Sequence, residues 1–391
     1  MQNLKYVLII LMAGMASCAS IGIKMADSEL EWASKQPQSS QIVHSIYLIG
    51  DAGASNLGQS SIPLIELQKQ LSVDNRQDAK TDVVFLGDNI YPVGMPPIGH
   101  QNRQDAEHKL NVQLESIRGF QGNVTFVPGN HDWYEFGREG LQRQEQYIEQ
   151  YLAQYNEDFT DYFRPSDGCG DVAVLTVADK ITIVSIDSHW FLKDMPRNGG
   201  YDYSDCEIKT RAQFVSAFAD TMALLADHDV MLTMHHPLYT TGSHGGYYNL
   251  ASYLMPLTAY NKQLIIPLPI SGYIVNNMRA KVSEQDAQSA PYATYRQALI
   301  PAIEEHGHTI VAAGHEHTLQ YHVINDVNYI VSGSGSKTGK VESDTYTKFA
   351  YGNYGYALVD YYTSGEIWVS FYALDQDNQD FLEVYRAEVS K

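Results

Sequence analysis

Val83-Val84-Phe85-Leu86-Gly87-Asp88-Asn89-Ile90-Tyr91 is a short apolar run, β-branched at its start, that ends at a glycine and runs into side chains able to bind a metal. It reads as a buried strand followed by a tight loop, with the glycine permitting close approach of the backbone. The same grammar recurs four times. A run over 46–49 leads into Gly50-Asp51-Ala52-Gly53, and one over 124–127 into Gly129-Asn130-His131-Asp132. A run over 230–234 leads into His235-His236-Pro237, and one over 309–312 into Gly314-His315-Glu316-His317. In open α/β sheets, sites assemble outside the carboxyl ends of the strands, so five such loops can converge.

Each loop alone has an ordinary explanation. Gly-Asp is common in turns, where Asp bonds its own backbone. Gly-Asn-His-Asp suits a polar turn, and a His after a strand is usually structural. His315-x-His317 says more, because alternation along an extended segment aims both imidazoles the same way. All five in order, each behind a strand, predict one site.

Around these loops, strands are expected over 46–49, 83–86, 124–127, 181–186, 230–234, 309–312 and 329–331. Helical patterns cover 62–71, 107–117, 141–151, 211–226 and 295–305. Such alternation predicts an α/β fold, with half-buried strands over 356–361 and 367–372 and no solenoid repeat. Hydrophobic residues make up 44% of the 391 residues, enough for a large core. Residues 247–295 are too long for an ordinary connection. Their run Leu264-Ile265-Ile266-Pro267-Leu268-Pro269-Ile270 excludes a regular helix. They read as an insertion near the site.

The N-terminus reads as an export signal: Lys5, then an apolar stretch over 6–15 too short to span a bilayer. Met15-Ala16-Ser17-Cys18 resembles a bacterial lipoprotein signal, with Cys18 as the lipidated residue. Residues 1–17 are then a signal peptide, 18–40 a polar tether, and 41–391 the folded domain. The chain is expected in the cell envelope, outer membrane or periplasm, touching membrane only through its lipid. Cys169 and Cys206 remain as an even pair in an oxidising compartment and are expected to form a disulfide. The net charge of −20 disfavours a nucleic-acid scaffold. It leaves phosphate chemistry open, because bound metals reverse the local field.

The five loops resemble those of the calcineurin-like metallophosphoesterases, and within them the purple (tartrate-resistant type) acid phosphatases. Beyond the ligands, 86–91, 314–321 and Ser332-Gly333-Ser334-Gly335 are also similar to the family pattern. The resemblance implies a four-layer α-β-β-α sandwich of two mixed sheets flanked by helices. Most of the family begin with Asp-x-His, but here Gly53 stands in the place of that His. Tyr91 stands three residues after Asp88, where the purple enzymes place a tyrosinate, a hard anionic donor suited to Fe³⁺. Metal one would be held by Asp51, Asp88, Tyr91 and His317, favouring Fe³⁺. Metal two would be held by Asp88, Asn130, His235 and His315, suiting Fe²⁺, Zn²⁺ or Mn²⁺. The family places its ligand two residues before the proline, which selects His235 over His236.

By the same resemblance, His131 would contact the phosphate and His244 would protonate the leaving group, while a metal-bound hydroxide attacks phosphorus in line. The expected substrate is a small phosphate monoester. A phosphodiesterase or nucleotide hydrolase with the same metals is the alternative, and a surface binding lipoprotein the non-enzymatic one. Neither a Gly-x-Ser-x-Gly elbow nor a Gly-x-x-x-x-Gly-Lys loop is present. Oligomeric state is left open.

Overall fold

A computed structural model describes residues 19–73, 80–155, 161–193, 204–247, 266, 283–375 and 380–389. The sequence places apolar residues on both faces of its central strands, which demands a cover on each side. In β2 (Ile42–Ile49), Ile46 and Leu48 join one hydrophobic cluster while Tyr47 and Ile49 join another. The first cluster is the layer between two sheets. It combines Val84 and Leu86 with Ile183, Met231, Ile310 and Ile330 of the opposing sheet. The second takes in the helices: Leu64 and Leu67 of α1 (Ile62–Val73), Leu110 and Leu114 of α2 (Arg103–Ser116), and Phe214 and Phe218 of α6 (Arg211–Leu224). Each fully buried Leu or Phe contributes about 1.5–3 kcal/mol.

One sheet has six strands, with β2, β3 (Lys80–Phe85) and β4 (Val124–Phe126) parallel. On the far side of β2, β12 (Gly355–Tyr362), β13 (Ile367–Leu374) and β14 (Phe381–Glu388) add antiparallel. The other sheet has eight strands around a parallel centre: β6 (Ile181–Ile186), β7 (Asp229–Met234), β8 (Thr309–Ala313) and β10 (Val327–Ser332). β5 (Val172–Ala178) closes one edge, and β9 (Leu319–Ile324), β11 (Thr347–Tyr351) and β1 (Lys24–Met25) extend the other. Two mixed sheets flanked by helices are the architecture expected.

Helix α7 (Ala290–His306) begins five residues before the expected 295. Pro291 lies in its first turn, where a missing N–H is harmless, and the Ser289 side chain caps the Tyr292 N–H. The run over 264–270 lies, apart from residue 266, outside the described residues, as do the signal peptide and Cys18.

The tether is corrected. Ala19 is buried, Ser20 exchanges two backbone hydrogen bonds with Val341 (2.9 Å each), and β1 pairs with β11. Glu29 is also buried, accepting from Lys35 (2.8 Å) and from the Tyr385 hydroxyl (3.1 Å). The polar composition concealed an open edge at β11 that offers this segment backbone partners. The expected Cys169–Cys206 disulfide is present, with Cα atoms 5.6 Å apart.

Candidate metal centre

All five ligand loops leave the carboxyl ends of their strands: β2, β3 and β4 of one sheet, β7 and β8 of the other. Asp51, Asp88 and His315 each follow a glycine and take positive φ, at 55°, 57° and 69°. Asp and His tolerate this region better than most residues, yet each such residue costs on the order of 1–3 kcal/mol. The loops hold one another in place. The Asp51 N–H donates to the Gly87 carbonyl (2.9 Å) and the His315 N–H to Asp51 Oδ2 (2.7 Å). The His131 N–H donates to Asp88 Oδ1 at 2.8 Å. A β-carbon at Gly129 would lie 2.2 Å from the Asp88 nitrogen, so only glycine lets these two loops meet.

The cluster has two ends. Donor atoms of Asp51, Asp88 and His235, all buried, lie within 4.8 Å of one another. At one end the Tyr91 hydroxyl donates to Asp51 Oδ1 (2.6 Å) and lies 3.0 Å from His317 Nε2. At the other, Asn130 Oδ1 lies 3.0 Å from His235 Nε2 and 3.1 Å from His315 Nδ1. The Asn130 amide nitrogen donates away, to the Tyr134 hydroxyl at 3.0 Å, which turns the carbonyl oxygen inward as a ligand requires. His235 donates from Nδ1 to the Leu86 carbonyl (2.8 Å), leaving Nε2 for the centre.

The expectation that His315 and His317 share one face of an extended segment is corrected. The left-handed turn at His315 breaks that alternation, and the two rings go to opposite ends of the cluster. His236 turns away from the centre: it is buried, with Nδ1 2.8 Å from Ser188 Oγ. The gap at Gly53 has a steric cause, since a β-carbon there would lie 2.2 Å from the Asn89 carbonyl oxygen.

The pocket attracts positive charge. Burial opposes ionisation of Asp88, but His235 and His131 nearby hold its carboxyl well below the usual range. Burial likewise opposes charge on His235, yet Asp88, Asp51 and the Leu86 carbonyl raise it to about 9. Burial, then Asp51 and Asp88, push the Tyr91 phenol well above its ordinary value. A cation would reverse that last effect by attracting the phenolate. Burial and the surrounding histidines keep His315 neutral, with a lone pair to offer. Two carboxylates, a phenol, an inward amide oxygen and three imidazoles fit a pair of metal ions.

His131 and His244 border this cluster. His131 donates from Nδ1 to the Pro92 carbonyl (2.6 Å), and its ring centroid lies 4.3 Å from that of Tyr91. The His244 ring lies 4.2 Å from that of His315. Lys337 holds its ammonium 3.9 Å over the Tyr91 ring. Asp132 and Glu316, inside quoted loops but given no role from sequence, are buried anchors. Asp132 accepts from the N–H groups of Gly129 (2.8 Å) and Ile90 (3.0 Å), and Glu316 from that of His244 (2.7 Å). Gln285 and Asp286 also reach the site and carry no motif at all.

A family model described as calcineurin-like phosphoesterase matches residues 44–333. No curated protein matches the chain by sequence. Among solved structures, the chain is similar to GAP50, described as the anchor in the inner membrane complex of Plasmodium. That match has 16% identity, covers 89% of each chain and has a TM-score of 0.54. It is also similar to PhoD (10% identity, 91% of this chain and 73% of that one, TM-score 0.52). Purple acid phosphatase PPD1 from yellow lupin (Lupinus luteus) seeds matches at 10% identity, over 91% of this chain and 55% of that one, with a TM-score of 0.50. At these identities the likeness is one of fold.

Proposed function

The chain belongs to the calcineurin-like phosphoesterase family, and from that premise we propose that it hydrolyses small phosphate monoesters with two cations, as purple acid phosphatases do. The observation that carries this reading is the buried meeting of Asp51, Asp88 and His235 in a pocket that attracts positive charge. Tyr91 supports the subgroup, because it bonds Asp51 at the end of the cluster where Gly53 leaves no room for a side chain.

Asp51, Asp88, Tyr91 and His317 would hold Fe³⁺; Asp88, Asn130, His235 and His315 would hold Fe²⁺, Zn²⁺ or Mn²⁺. Bound there, the ions would supply Lewis acidity toward phosphoryl oxygens and lower the pKa of water. The chain's own contribution is orientation. The Pro92 carbonyl fixes His131 through Nδ1, leaving Nε2 to meet a phosphoryl oxygen. His244 stands across the cluster to protonate the leaving oxygen.

We also propose that the protein is exported and held to a membrane through Cys18. Ala19 is already buried, so a lipid there would hold the body close to the bilayer with no long spacer. Among the described residues no helix is long and apolar enough to cross a membrane.

Metal analysis and a visible spectrum of the purified protein, with turnover of an aryl phosphate, its diester and nucleotides, test the enzyme reading. Two metals, a phenolate-to-iron charge-transfer band and a preference for the monoester are expected. Faster turnover of diesters or nucleotides would move the reading to the alternative substrate class, and a metal-free protein would sink it.

A further inference from the structure

Residues 285–287, just before α7, touch the site at three consecutive positions. The Gln285 carbonyl lies 3.2 Å from His315 Nε2, and the Gln285 amide donates to the Tyr134 hydroxyl that also holds Asn130. Asp286 Oδ1 lies 2.7 Å from His244 Nδ1. The Ala287 N–H donates to the His244 carbonyl at 2.8 Å. Asp286 is 2% exposed, and its Oδ2 is buried without a hydrogen-bond partner among the described residues. A half-satisfied buried carboxyl costs on the order of 1–3 kcal/mol, so stability alone does not account for it. The His244 backbone is already fixed from both sides, by Ala287 and by Glu316. What Asp286 adds is control of the ring.

We infer that Asp286 is a positioning residue for His244: its carboxylate holds the proton on Nδ1 and so presents Nε2, on the opposite edge of the ring, to the leaving oxygen of a phosphate ester. The inference rests on the hydrolase reading above. In the step concerned, water gives its oxygen to phosphorus, its two hydrogens staying with the released phosphate, as the ester P–O bond breaks. The electron pair of that bond stays on the leaving oxygen, which takes the Nε2 proton and departs as an alcohol. His244 is left neutral with its Nδ1 proton still bonded to Asp286. An alkoxide needs that proton far more than a nitrophenolate does, so the leaving group reports on the alignment.

The test compares kcat for glycerol phosphate and for 4-nitrophenyl phosphate in native protein, Asp286→Asn, Asp286→Glu, His244→Ala and His244→Ala/Asp286→Asn, with metal content checked in each. Asp286→Asn is expected to lower kcat for glycerol phosphate about 10–100-fold and for 4-nitrophenyl phosphate several-fold less. Asp286→Glu should recover part of the loss, and Asp286→Asn should add little once His244 is gone. Equal losses on both substrates, or additive losses in the double variant, would overturn the assignment and leave Asp286 a structural residue. If Asp286→Asn does not fold, the ratio of the two substrates in Asp286→Glu decides in the same way. Metal-loaded native protein that turns over neither ester would remove the hydrolase reading itself, and the positioning role with it.

Discussion

Asp88 and Glu145 are both buried acids, and the protein treats them in opposite ways. Glu145 lies on α4 (Gly137–Leu152), beside the disulfide-bearing segment, and accepts the Asp167 N–H at 2.7 Å. Burial, then the charges of Asp167, Glu149 and Asp161, push its carboxyl up to about 8 despite that bond. Asp88 is buried still more deeply, yet His235 and His131 keep it charged. Burial by itself neutralises an acid; a buried acid that stays ionised sits where positive charge has been provided. One pocket therefore favours positive charge, and the other is a structural pocket that tolerates a protonated glutamate.

The largest effect should come from collapsing the first pocket. Asp88→Asn removes the carboxylate proposed to bridge both ions, and phosphatase activity should fall below detection with loss of bound metal, read by elemental analysis. Activity kept at the native level would erase the contrast. Next comes the structural pocket, where Arg138 bonds Cys169 Sγ (3.4 Å) and the Asp167 carbonyl (2.8 Å). Replacing Cys169 and Cys206 by Ser should lower stability about 2–4 kcal/mol in chemical denaturation. Metal content should stay native, since the bridge lies outside the ligand loops. The smallest effect sharpens the contrast through pH. The folded state holds the Glu145 proton more tightly than the unfolded chain does. Its stabilising effect is therefore complete below the unfolded value near 4.3 and fades as pH rises toward about 8. Glu145→Gln should flatten the fall in Tm between pH 5 and pH 8 by a few degrees; an unchanged slope would mean that Glu145 ionises freely.

Much of the fold was legible because its signals are local. A strand buried on both faces needs a continuous apolar run, and a tight turn beside a ligand needs glycine; both are written within a few residues. Hence β6 (Ile181–Ile186) falls where its sequence put it, and the five loops sit at strand ends. The strand β9, by contrast, carries no such signal, because Leu319–Ile324 has Gln320 and His322 among its apolar residues. Both are buried and hydrogen-bonded to each other at 2.8 Å, a satisfaction that no apolar pattern records.

By itself, the sequence pointed to the α/β class, to seven side chains as candidate ligands and, with Cys18 set aside for lipid, to the pairing of Cys169 with Cys206. Only the tertiary structure decided that His315 and His317 part to opposite ends of the cluster, that 20–25 lie along the edge at β11, and that Asp286 faces His244. The reason is physical. Periodicity and turn chemistry act between near neighbours in the chain, whereas a bond such as Asp286 to His244, 42 positions apart, exists only once the intervening chain has folded back and excluded water around it.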